Sequence, residues 1–433
     1  MSTAGRRAPA DPSAWLIEAA DLDAAEPLHH HRHEFTVPTG PDGTPQIYLA
    51  GNSLGLVGRR SREQVALELD RWGTLGVAGH FTGDEGWAGY HRLLTAPMAR
   101  LVGAEPEEVV VMNSLTTNLH LLLVSFYRPT PTRHRILIEQ HAFPSDHFAV
   151  ESQIRQRGLD PATSLVTVGP RPGEDLLRPE DLVAAIEAEG DALATVLLPG
   201  VHYYTGQVLP LAEITAAAHR VGATVGFDLA HAVGNVTLDL HDLGADFAAW
   251  CTYKYLNAGP GAVGGAFVHH RNLGRTDLPR LTGWWGTNPE TRFEMACVFD
   301  PVPTVEAWQL SNAPILSMAA LRGSLELFDE IGLPALRARA TRLLAFADRL
   351  LGSLAGAVEV ITPTHPDERG CQLSLRLGDT ARGPAVHRAL EAAGVACDWR
   401  HPDVIRVAPV PLYNSHDDIA RFVAVLARVV AAR

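Results

Sequence analysis

The fold class of this chain is decided by the stretch Ala249-Trp250-Cys251-Thr252-Tyr253-Lys254-Tyr255-Leu256-Asn257-Ala258-Gly259-Pro260-Gly261. It opens as an apolar run typical of a buried strand, reaches a single lysine, and continues into a glycine-rich turn. A second apolar run upstream, Val225-Gly226-Phe227, ends in Asp228. Two apolar strands that end in a lysine and an aspartate indicate a layered α/β fold with a polar site at the strand ends.

A lysine and an aspartate in these positions suit one cofactor, pyridoxal phosphate (PLP). A lysine at a strand end can form a Schiff base, and a buried aspartate can keep a pyridine nitrogen protonated. Each residue also has a commoner explanation, because a lysine between aromatic residues usually reaches to the surface and an aspartate after a strand often caps a helix. The cofactor therefore needs support from other parts of the chain.

The bulk composition excludes several classes of protein. The chain has 433 residues, which is longer than the chain that a single hydrophobic core usually serves. Its 46% apolar and 20% charged residues are typical of a globular protein. A net charge of −13 argues against nucleic-acid binding and against an anionic membrane surface. The sequence has no apolar run of membrane-spanning length, and its first twelve residues lack a hydrophobic signal core. We predict a cytoplasmic protein with a small-molecule partner.

Strand and helix patterns alternate through the middle of the chain, as in an α/β protein. Strands are predicted at 108–112, 134–139, 194–198, 224–227, 247–252 and 265–269, and helices at 117–126, 145–157, 179–189 and 211–221. A different pattern follows residue 314: a long helical segment, 315–354, broken near Gly332-Leu333-Pro334, then strands at 358–361, 372–377 and 404–407 and helices at 384–393 and 417–432. We predict an N-terminal arm (1–44) that packs with the small domain, a large domain (45–314) and a small α+β domain (315–433).

The segment Met112-Asn113-Ser114-Leu115-Thr116-Thr117 follows a predicted strand and opens a helix. Free backbone N–H groups at a helix start, with a threonine hydroxyl beside them, favour a phosphate. Ordinary capping by Ser114 or Thr116 explains the same residues. Phe143, after another strand, could lie flat on a pyridine ring or belong to the core, with Ser145 or Asp146 capping the next helix.

Three further residues are candidates for the site. His231 could orient the carboxylate of Asp228 or lie under the ring, and the phenol of Tyr253 could bind phosphate and relay a proton. Arg406 lies within an apolar strand pattern, and a buried arginine nearly always has an anionic partner. That partner is either a carboxylate of the protein or the carboxylate of an amino-acid substrate.

Cysteine and histidine spacing predicts neither a disulfide framework nor a metal site. The four cysteines, Cys251, Cys297, Cys371 and Cys397, are widely separated and form no CxxC motif. The cluster His29, His30, His31 and His33 could bind a metal adventitiously, but a surface segment explains it better.

Taken in order, the motifs resemble those of the kynureninase family, whose members are PLP enzymes of fold type I, the aspartate-aminotransferase-like fold. The resembling segments are 48–56, 112–120, 143–147, 200–207, 226–231, 249–261, 283–286, 311–314, 368–373 and 405–415, which together span most of the chain. The resemblance implies a large domain with a mixed, mostly parallel sheet flanked by helices, and a smaller C-terminal α+β domain.

The resemblance also implies roles for individual residues. For the cofactor, it implies the Schiff-base lysine at Lys254, the pyridine nitrogen contact at Asp228, ring stacking by Phe143, phosphate contacts from Leu115, Thr116 and Tyr253, and positions beside the ring for Asp146 and His231. It implies that Trp284 and Asn312 come from the partner subunit of a homodimer. For the substrate, it implies contacts from Asn52, Ser53, His80, Ser311, Asn312 and Arg406, with Arg406 on the carboxylate and His80, Ser311 and Asn312 at the aryl end.

Some positions depart from the family pattern without removing an essential group. Pro199 stands where some relatives carry a small hydroxyl residue near the cofactor, which removes one hydrogen bond. Ala50 lies at a variable position, and Ala313 replaces a common proline.

The implied reaction is hydrolytic Cβ–Cγ cleavage of L-kynurenine, 3-hydroxy-L-kynurenine or both, to anthranilate or its 3-hydroxy form and L-alanine, as in tryptophan catabolism and NAD biosynthesis. Lys254, Tyr253 and Asp228 are the expected catalytic residues, and we expect the hydroxylated substrate to be accepted as well.

Three alternatives stay open. The chain could be a fold type I relative that acts on a modified kynurenine or another amino acid, or a cysteine desulfurase relative that uses Cys371. It could also be a binding protein that has lost the cofactor, although the intact Lys254, Asp228 and Arg406 argue against this. A Rossmann NAD enzyme is disfavoured, because the turn Gly259-Pro260-Gly261 has the wrong spacing.

Overall fold

The computed structural model describes residues 12–40, 43–83 and 86–432. Its longer strands are β1 Val109–Val111, β2 Arg135–Glu139, β3 Leu165–Val168, β4 Leu193–Pro199, β5 Thr224–Asp228, β6 Phe247–Trp250, β7 Gly265–Val268, β8 Val358–Val360, β9 Leu373–Leu377, β10 Asp398–Arg400 and β11 Val404–Val407. Its longer helices are α1 Pro12–Ala25, α2 Arg59–Leu75, α3 Arg92–Val102, α4 Leu115–Phe126, α5 Pro144–Gln156, α6 Pro179–Glu189, α7 Leu211–Arg220, α8 Ile315–Ile331, α9 Leu333–Leu351, α10 Gly383–Ala392 and α11 His416–Ala431.

The chain divides into two compact units. One comprises the described residues of Met1–Arg59 and Pro334–Arg433 together with Tyr204–Gly206, and the other comprises Arg60–Tyr203 and Gln207–Leu333. The sequence placed these divisions at residues 44 and 314. In the structure the first N-terminal residues up to Arg59 group with the C-terminal region, and helix α8 groups with the large sheet, because its apolar face packs on α3.

The larger unit is built on a seven-stranded sheet in the order β1-β7-β6-β5-β4-β2-β3. Strands β6, β5, β4, β2 and β3 are parallel to one another, whereas β7 is antiparallel to both β6 and β1. Every residue of β4 and β6 is buried, as expected for strands covered by helices on both faces. The predicted mixed, mostly parallel α/β sheet is confirmed.

Parallel strands bring their last residues to one edge of the sheet. At this edge, β2 and β5 end in acidic residues and β4 ends in a proline. Strand β5 ends at Asp228, which is in register with Pro199 at the end of β4 and with Ala249 in β6. Strand β2 ends at Glu139. The chain after β6 reaches Lys254 within four residues of Trp250. This edge therefore gathers the lysine and the aspartate that the sequence singled out.

The smaller unit has an antiparallel sheet in the order β8-β9-β11-β10. Its core joins apolar residues from α1, α9, α11 and the strands β9 and β11. Helix α1 packs on α11, so the described part of the N-terminal arm contacts the C-terminal helix, and residues 1–11 of the predicted arm lie outside the described residues.

The predicted strands and helices are confirmed, with ends shifted by a few residues. Among the longer elements, helices α1, α2 and α3 and strands β3 and β10 were not predicted; both strands are partly exposed and lack a continuous apolar run. All four cysteines are free, and Cys297 alone among them is exposed. Within the described ranges, no helix is both long enough and apolar enough to cross a membrane.

Candidate active site

A cavity of about 270 Å³ opens at the carboxyl edge of the large sheet. It is lined by Ser114, Leu115, Thr116, Glu139, Phe143, Ser145, Asp146, Pro199, Val201, Tyr203, Asp228, Ala230, His231, Tyr253 and Lys254. The ends of parallel strands are where α/β sheets bind their ligands, because loops from neighbouring strands diverge there. The cavity contains eight of the residues that the sequence assigned to the cofactor.

Lys254 is held by the tight turn that follows strand β6. The hydroxyl of Thr252 donates to the carbonyl oxygen of Val263 at 2.5 Å, and the backbone N–H of Asn257, a residue with φ of 52°, donates to the carbonyl of Lys254. The Lys254 Nζ lies 2.9 Å from Nε2 of His231. The amine is thus directed into the cavity with an imidazole as its nearest proton partner.

Three buried carboxyl groups line the same cavity as this amine: Glu139, Asp146 and Asp228, each less than a tenth exposed. The Asp228 Oδ1 accepts a hydrogen bond from the Ala230 N–H at 2.7 Å. Burial, together with the nearby charge of Asp228, raises the pKa of Glu139 to about 8. Burial also raises the pKa of Asp146 well above its usual range, reinforced by the charge of Asp228. Lys254 is the one lysine in the cavity lining, which also contains these three acidic side chains. A second positive charge, carried by a bound ligand, would therefore be stabilised here.

The start of helix α4 also lines the cavity. Ser114 precedes the helix in an extended conformation, and its side chain makes no capping bond to the backbone, so the capping alternative for Ser114 is wrong. Its hydroxyl lies 3.1 Å from that of Thr117, while the hydroxyl of Thr116 lies 2.7 Å from that of Ser145. The first backbone N–H groups of a helix have no partner within the helix, which leaves an anion site lined by hydroxyls.

Gly264 allows this helix start to approach the sheet. A Cβ at Gly264 would lie 2.8 Å from the carbonyl oxygen of Trp250 and 3.2 Å from the backbone nitrogen of Leu115. Both atoms belong to the backbone and have little room to move. The close approach fixes the helix N-terminus relative to the strand that leads to the lysine.

Phe143 and Tyr203 form an aromatic wall of the cavity. Phe143 is 45% exposed, so it is not a core residue, and its ring meets that of Tyr203 edge to face at 5.4 Å. A ring left exposed at a cavity mouth can cover the face of a planar ligand.

Tyr253 completes the lining beside the lysine. Burial raises the pKa of its phenol, and neighbouring Cys251 and Asp228 raise it further. The phenol is therefore protonated at neutral pH, and it can donate a hydrogen bond to a phosphate or a reacting group.

These features fit PLP. The amine of Lys254 can attach an aldehyde, the start of α4 can take a phosphate, and the carboxyl cluster can hold a protonated pyridine nitrogen. The buried Oδ1 of Asp146 has no hydrogen-bond partner among the described residues, which is the kind of acceptor that a bound cation would satisfy.

Arg406 lies in strand β11 of the smaller unit and is 1% exposed. Its guanidinium makes a bidentate ion pair with Asp398, with Nε 2.7 Å from Oδ1 and Nη2 2.6 Å from Oδ2. Ser53 also donates to Asp398, and the side-chain oxygen of Asn52, with its amide turned, accepts from Arg406 at 3.3 Å. The sequence allowed two anionic partners for Arg406, and the structure shows one of them, a carboxylate of the protein. Three residues predicted to bind the substrate, Asn52, Ser53 and Arg406, meet at this ion pair.

Seven predicted residues do not line the cavity: Asn52, Ser53 and Arg406, which meet at Asp398, and His80, Trp284, Ser311 and Asn312. Trp284 is 44% exposed, and both Ser311 and Asn312 are exposed. Sequence reasoning in turn missed Glu139, Ser145 and Tyr203. Glu139 carried a signal, because it ends an apolar strand in the same way as Asp228.

Comparison with known proteins gives close relatives over nearly the whole chain. Residues 336–426 match the family model described as the kynureninase C-terminal domain. The chain is 53% identical to a protein named kynureninase from Koribacter versatilis, covering 94% of this chain and 95% of that protein. It is 54% identical to a protein of the same name from Salinispora tropica, covering 94% of this chain and 96% of that protein.

Solved structures that resemble this one share its fold at low sequence identity. A C-DES mutant with glycine covalently linked to the PLP cofactor superposes with a TM-score of 0.76 at 19% identity, covering 92% of this chain and 98% of that chain. The cysteine desulfurase CsdA from Escherichia coli superposes with a TM-score of 0.75 at 16% identity, covering 93% and 98%. Cys371 is fully buried here, which suits a structural thiol rather than the mobile catalytic cysteine of a desulfurase.

Proposed function

Because the chain belongs to the kynureninase family, a family of PLP-dependent hydrolases that act on carbon–carbon bonds in ketonic substances, we propose a substrate and a role for each site residue. The proposed reaction is the hydrolytic Cβ–Cγ cleavage of L-kynurenine and of 3-hydroxy-L-kynurenine, which yields the corresponding anthranilate and L-alanine. The observation that carries the proposal is the Lys254 amine, which lies 2.9 Å from His231 in a cavity that is also lined by buried carboxyl groups.

PLP, when bound, supplies an aldehyde for the substrate amine and a ring that accepts the electrons of the broken bond. Lys254 is the proposed attachment point and, once its amine is free, the base that takes the proton from the substrate α-carbon. The His231 imidazole, at hydrogen-bond distance from Nζ, is placed to exchange that proton. Asp228 is proposed to face the ring nitrogen, with Asp146 beside it.

Tyr253 is the proposed acid/base relay. Its raised pKa keeps the phenol protonated, so it acts first as a donor, either to the phosphate or to Cβ, the carbon that takes up a proton to become the methyl group of alanine. Leu115 and Thr116 are proposed to hold the phosphate through the helix start, and Phe143 to cover the ring.

Arg406 is proposed to bind the substrate carboxylate. Its ion pair with Asp398 holds the buried guanidinium in a fixed plane, and a planar guanidinium is the group that recognises a carboxylate with two parallel hydrogen bonds. Asn52 and Ser53, which contact the same ion pair, are proposed to position it.

A homodimer is proposed, with Trp284 and Asn312 reaching the cofactor of the partner subunit and with His80 and Ser311 at the aryl end. Support comes from an exposed aromatic cluster, in which Phe293 contacts Trp284 at 5.2 Å and Phe81 at 5.4 Å between ring centroids. All three rings are between 44% and 65% exposed. Exposed aromatic clusters of this kind mark interaction surfaces. A cytoplasmic location stays a prediction from the sequence.

The deciding experiment mixes the purified protein and PLP with L-kynurenine and, separately, with 3-hydroxy-L-kynurenine, and follows anthranilate fluorescence and alanine. We expect both products in equal amounts from each substrate, and neither from the Lys254→Ala variant, which should also lose the visible absorption of the lysine-bound cofactor. A shifted cofactor spectrum without anthranilate would instead favour a relative that acts on a modified kynurenine or another amino acid.

A further inference from the structure

A second cluster of chemically active side chains lies away from the cofactor cavity. It contains Glu108, His241, His269 and His270, and the candidate ligand atoms of all four lie within 4.8 Å of one another. The cluster is not part of the cavity lining, and nothing in the proposed reaction uses it.

The cluster lies where strands β1 and β6 of the large sheet begin, whereas Asp228 lies at the end of β5, where the parallel strands finish. Strand β7 is antiparallel to β1 and β6, so Phe267 pairs with Val109 and Val268 pairs with Phe247, the first residue of each neighbouring strand. Glu108 immediately precedes β1, and His269 and His270 immediately follow β7. Asp228, by contrast, is in register with Ala249 towards the other end of β6.

The distances between these groups match those of a metal site. Glu108 Oε2 lies 3.0 Å from His241 Nδ1, and Glu108 Oε1 lies 3.4 Å from His270 Nδ1 and 3.9 Å from His269 Nδ1. A tetrahedral ion with ligands at about 2.0–2.1 Å holds its ligand atoms about 3.4 Å apart. Small side-chain rotations would therefore bring all four atoms to bonding distance.

Supporting contacts fix the orientation of the ligands. The backbone N–H groups of His270 and Glu105 donate to Oε1 and Oε2 of Glu108 at 2.7 and 2.9 Å. His269 Nε2 lies 3.2 Å from the carbonyl oxygen of His241, while its Nδ1 accepts a hydrogen bond of 3.3 Å from the backbone N–H of Arg271, a bond that a metal ion would replace. Imidazoles that bind metals usually donate their other nitrogen to a carbonyl in this way.

We propose that Glu108, His241, His269 and His270 form a binding site for one divalent transition-metal ion of the zinc type. Three imidazole nitrogens and one carboxylate oxygen are a ligand set that such ions favour. The ion joins the start of β1, the end of β7 and the short helix Leu240–Leu243, so its role is structural. A purely ionic cluster is the competing explanation, but stacked rings only 4.4–5.5 Å apart leave little room for three protonated imidazoles.

The test uses the PLP-loaded enzyme, freed of metals by a chelator and then titrated with Co²⁺. The titration is made in a His30→Ala/His33→Ala background, because these exposed imidazoles near the N-terminus could bind metal on their own. We expect one equivalent of Co²⁺ to give the strong visible bands of a tetrahedral site and to raise the Tm by several degrees.

His270→Ala is the informative variant, because His270 is exposed and its loss should not prevent folding. It should weaken Co²⁺ binding at least tenfold and remove the metal-dependent rise in Tm, while kcat stays unchanged. His387→Ala, which removes an imidazole 3.5 Å from Glu391, is the matched control and should bind Co²⁺ like the parent. Absence of tetrahedral bands in the parent, or equal binding in His270→Ala, would overturn the proposal, and neither result depends on the substrate of the enzyme.

Discussion

A single methyl group at Gly264 should weaken the binding of the cofactor phosphate. In Gly264→Ala, the new Cβ would lie 2.8 Å from the carbonyl oxygen of Trp250 and 3.2 Å from the backbone nitrogen of Leu115, whereas ordinary contact begins at 3.4 Å. The strand and the start of helix α4 must therefore separate by roughly half an ångström. The displaced N–H groups are those proposed to hold the phosphate.

The size of the effect follows from the hydrogen bonds involved. Overpacking of this kind costs about 1–3 kcal/mol, and a hydrogen bond to a charged group contributes about 1.5–3 kcal/mol. Loss of one such bond, at about 1.4 kcal/mol per factor of ten, raises the Kd for PLP roughly ten- to a hundredfold.

The assay is a titration of the apoprotein with PLP, followed by the visible absorption of the lysine-bound cofactor. Pyridoxal, which lacks the phosphate, is the control ligand, and its affinity should change little. Gly73→Ala, at an open position within helix α2, is the control variant and should leave both affinities unchanged. An unchanged Kd for PLP, or an equal loss for pyridoxal, would refute the assignment of the helix start as the phosphate site.

Three further predictions concern buried charges. Asp398→Asn leaves the buried guanidinium of Arg406 without its ionised partner and should cost about 3–5 kcal/mol in urea unfolding; an unchanged unfolding midpoint would contradict this. Glu139, whose pKa is raised to about 8, holds a proton in the folded apoprotein between pH 4.5 and 8, so the stability of the fold decreases as the pH rises through that window. The Glu139→Gln variant should therefore show a flatter profile of Tm against pH over the same window. Asp246 has the opposite pH dependence. Burial tends to raise the pKa of Asp246, but hydrogen bonds from His219 and Arg271 outweigh burial and lower the pKa to about 2. Its contribution of about 2 kcal/mol to stability is therefore present above pH 3.8 and lost as the pH falls towards 2. Acid titrations should therefore show a smaller loss of stability in Asp246→Asn, and identical acid profiles would count against it.

The large sheet and the core of the site could be predicted because their signals are local. A strand buried on both faces appears as a continuous apolar run, and the polar residue that ends it marks the functional edge, as at Asp228 and beyond β6 at Lys254. The start of α4 was marked by hydroxyl residues between a strand and a helix. Strands β3 and β10 were missed because partly exposed strands lack such a run.

The sequence by itself determined which residues stand at strand ends and helix starts, and the order of its motifs determined the family. Tertiary structure alone decided that Asp398 pairs with Arg406, that Glu139 joins Asp146 and Asp228, and that Glu108 meets three histidines more than a hundred residues away. The physical reason is that periodicity and capping act over a few residues, whereas these contacts depend on which strands become neighbours. That choice is made when the whole sheet assembles and buries its apolar faces.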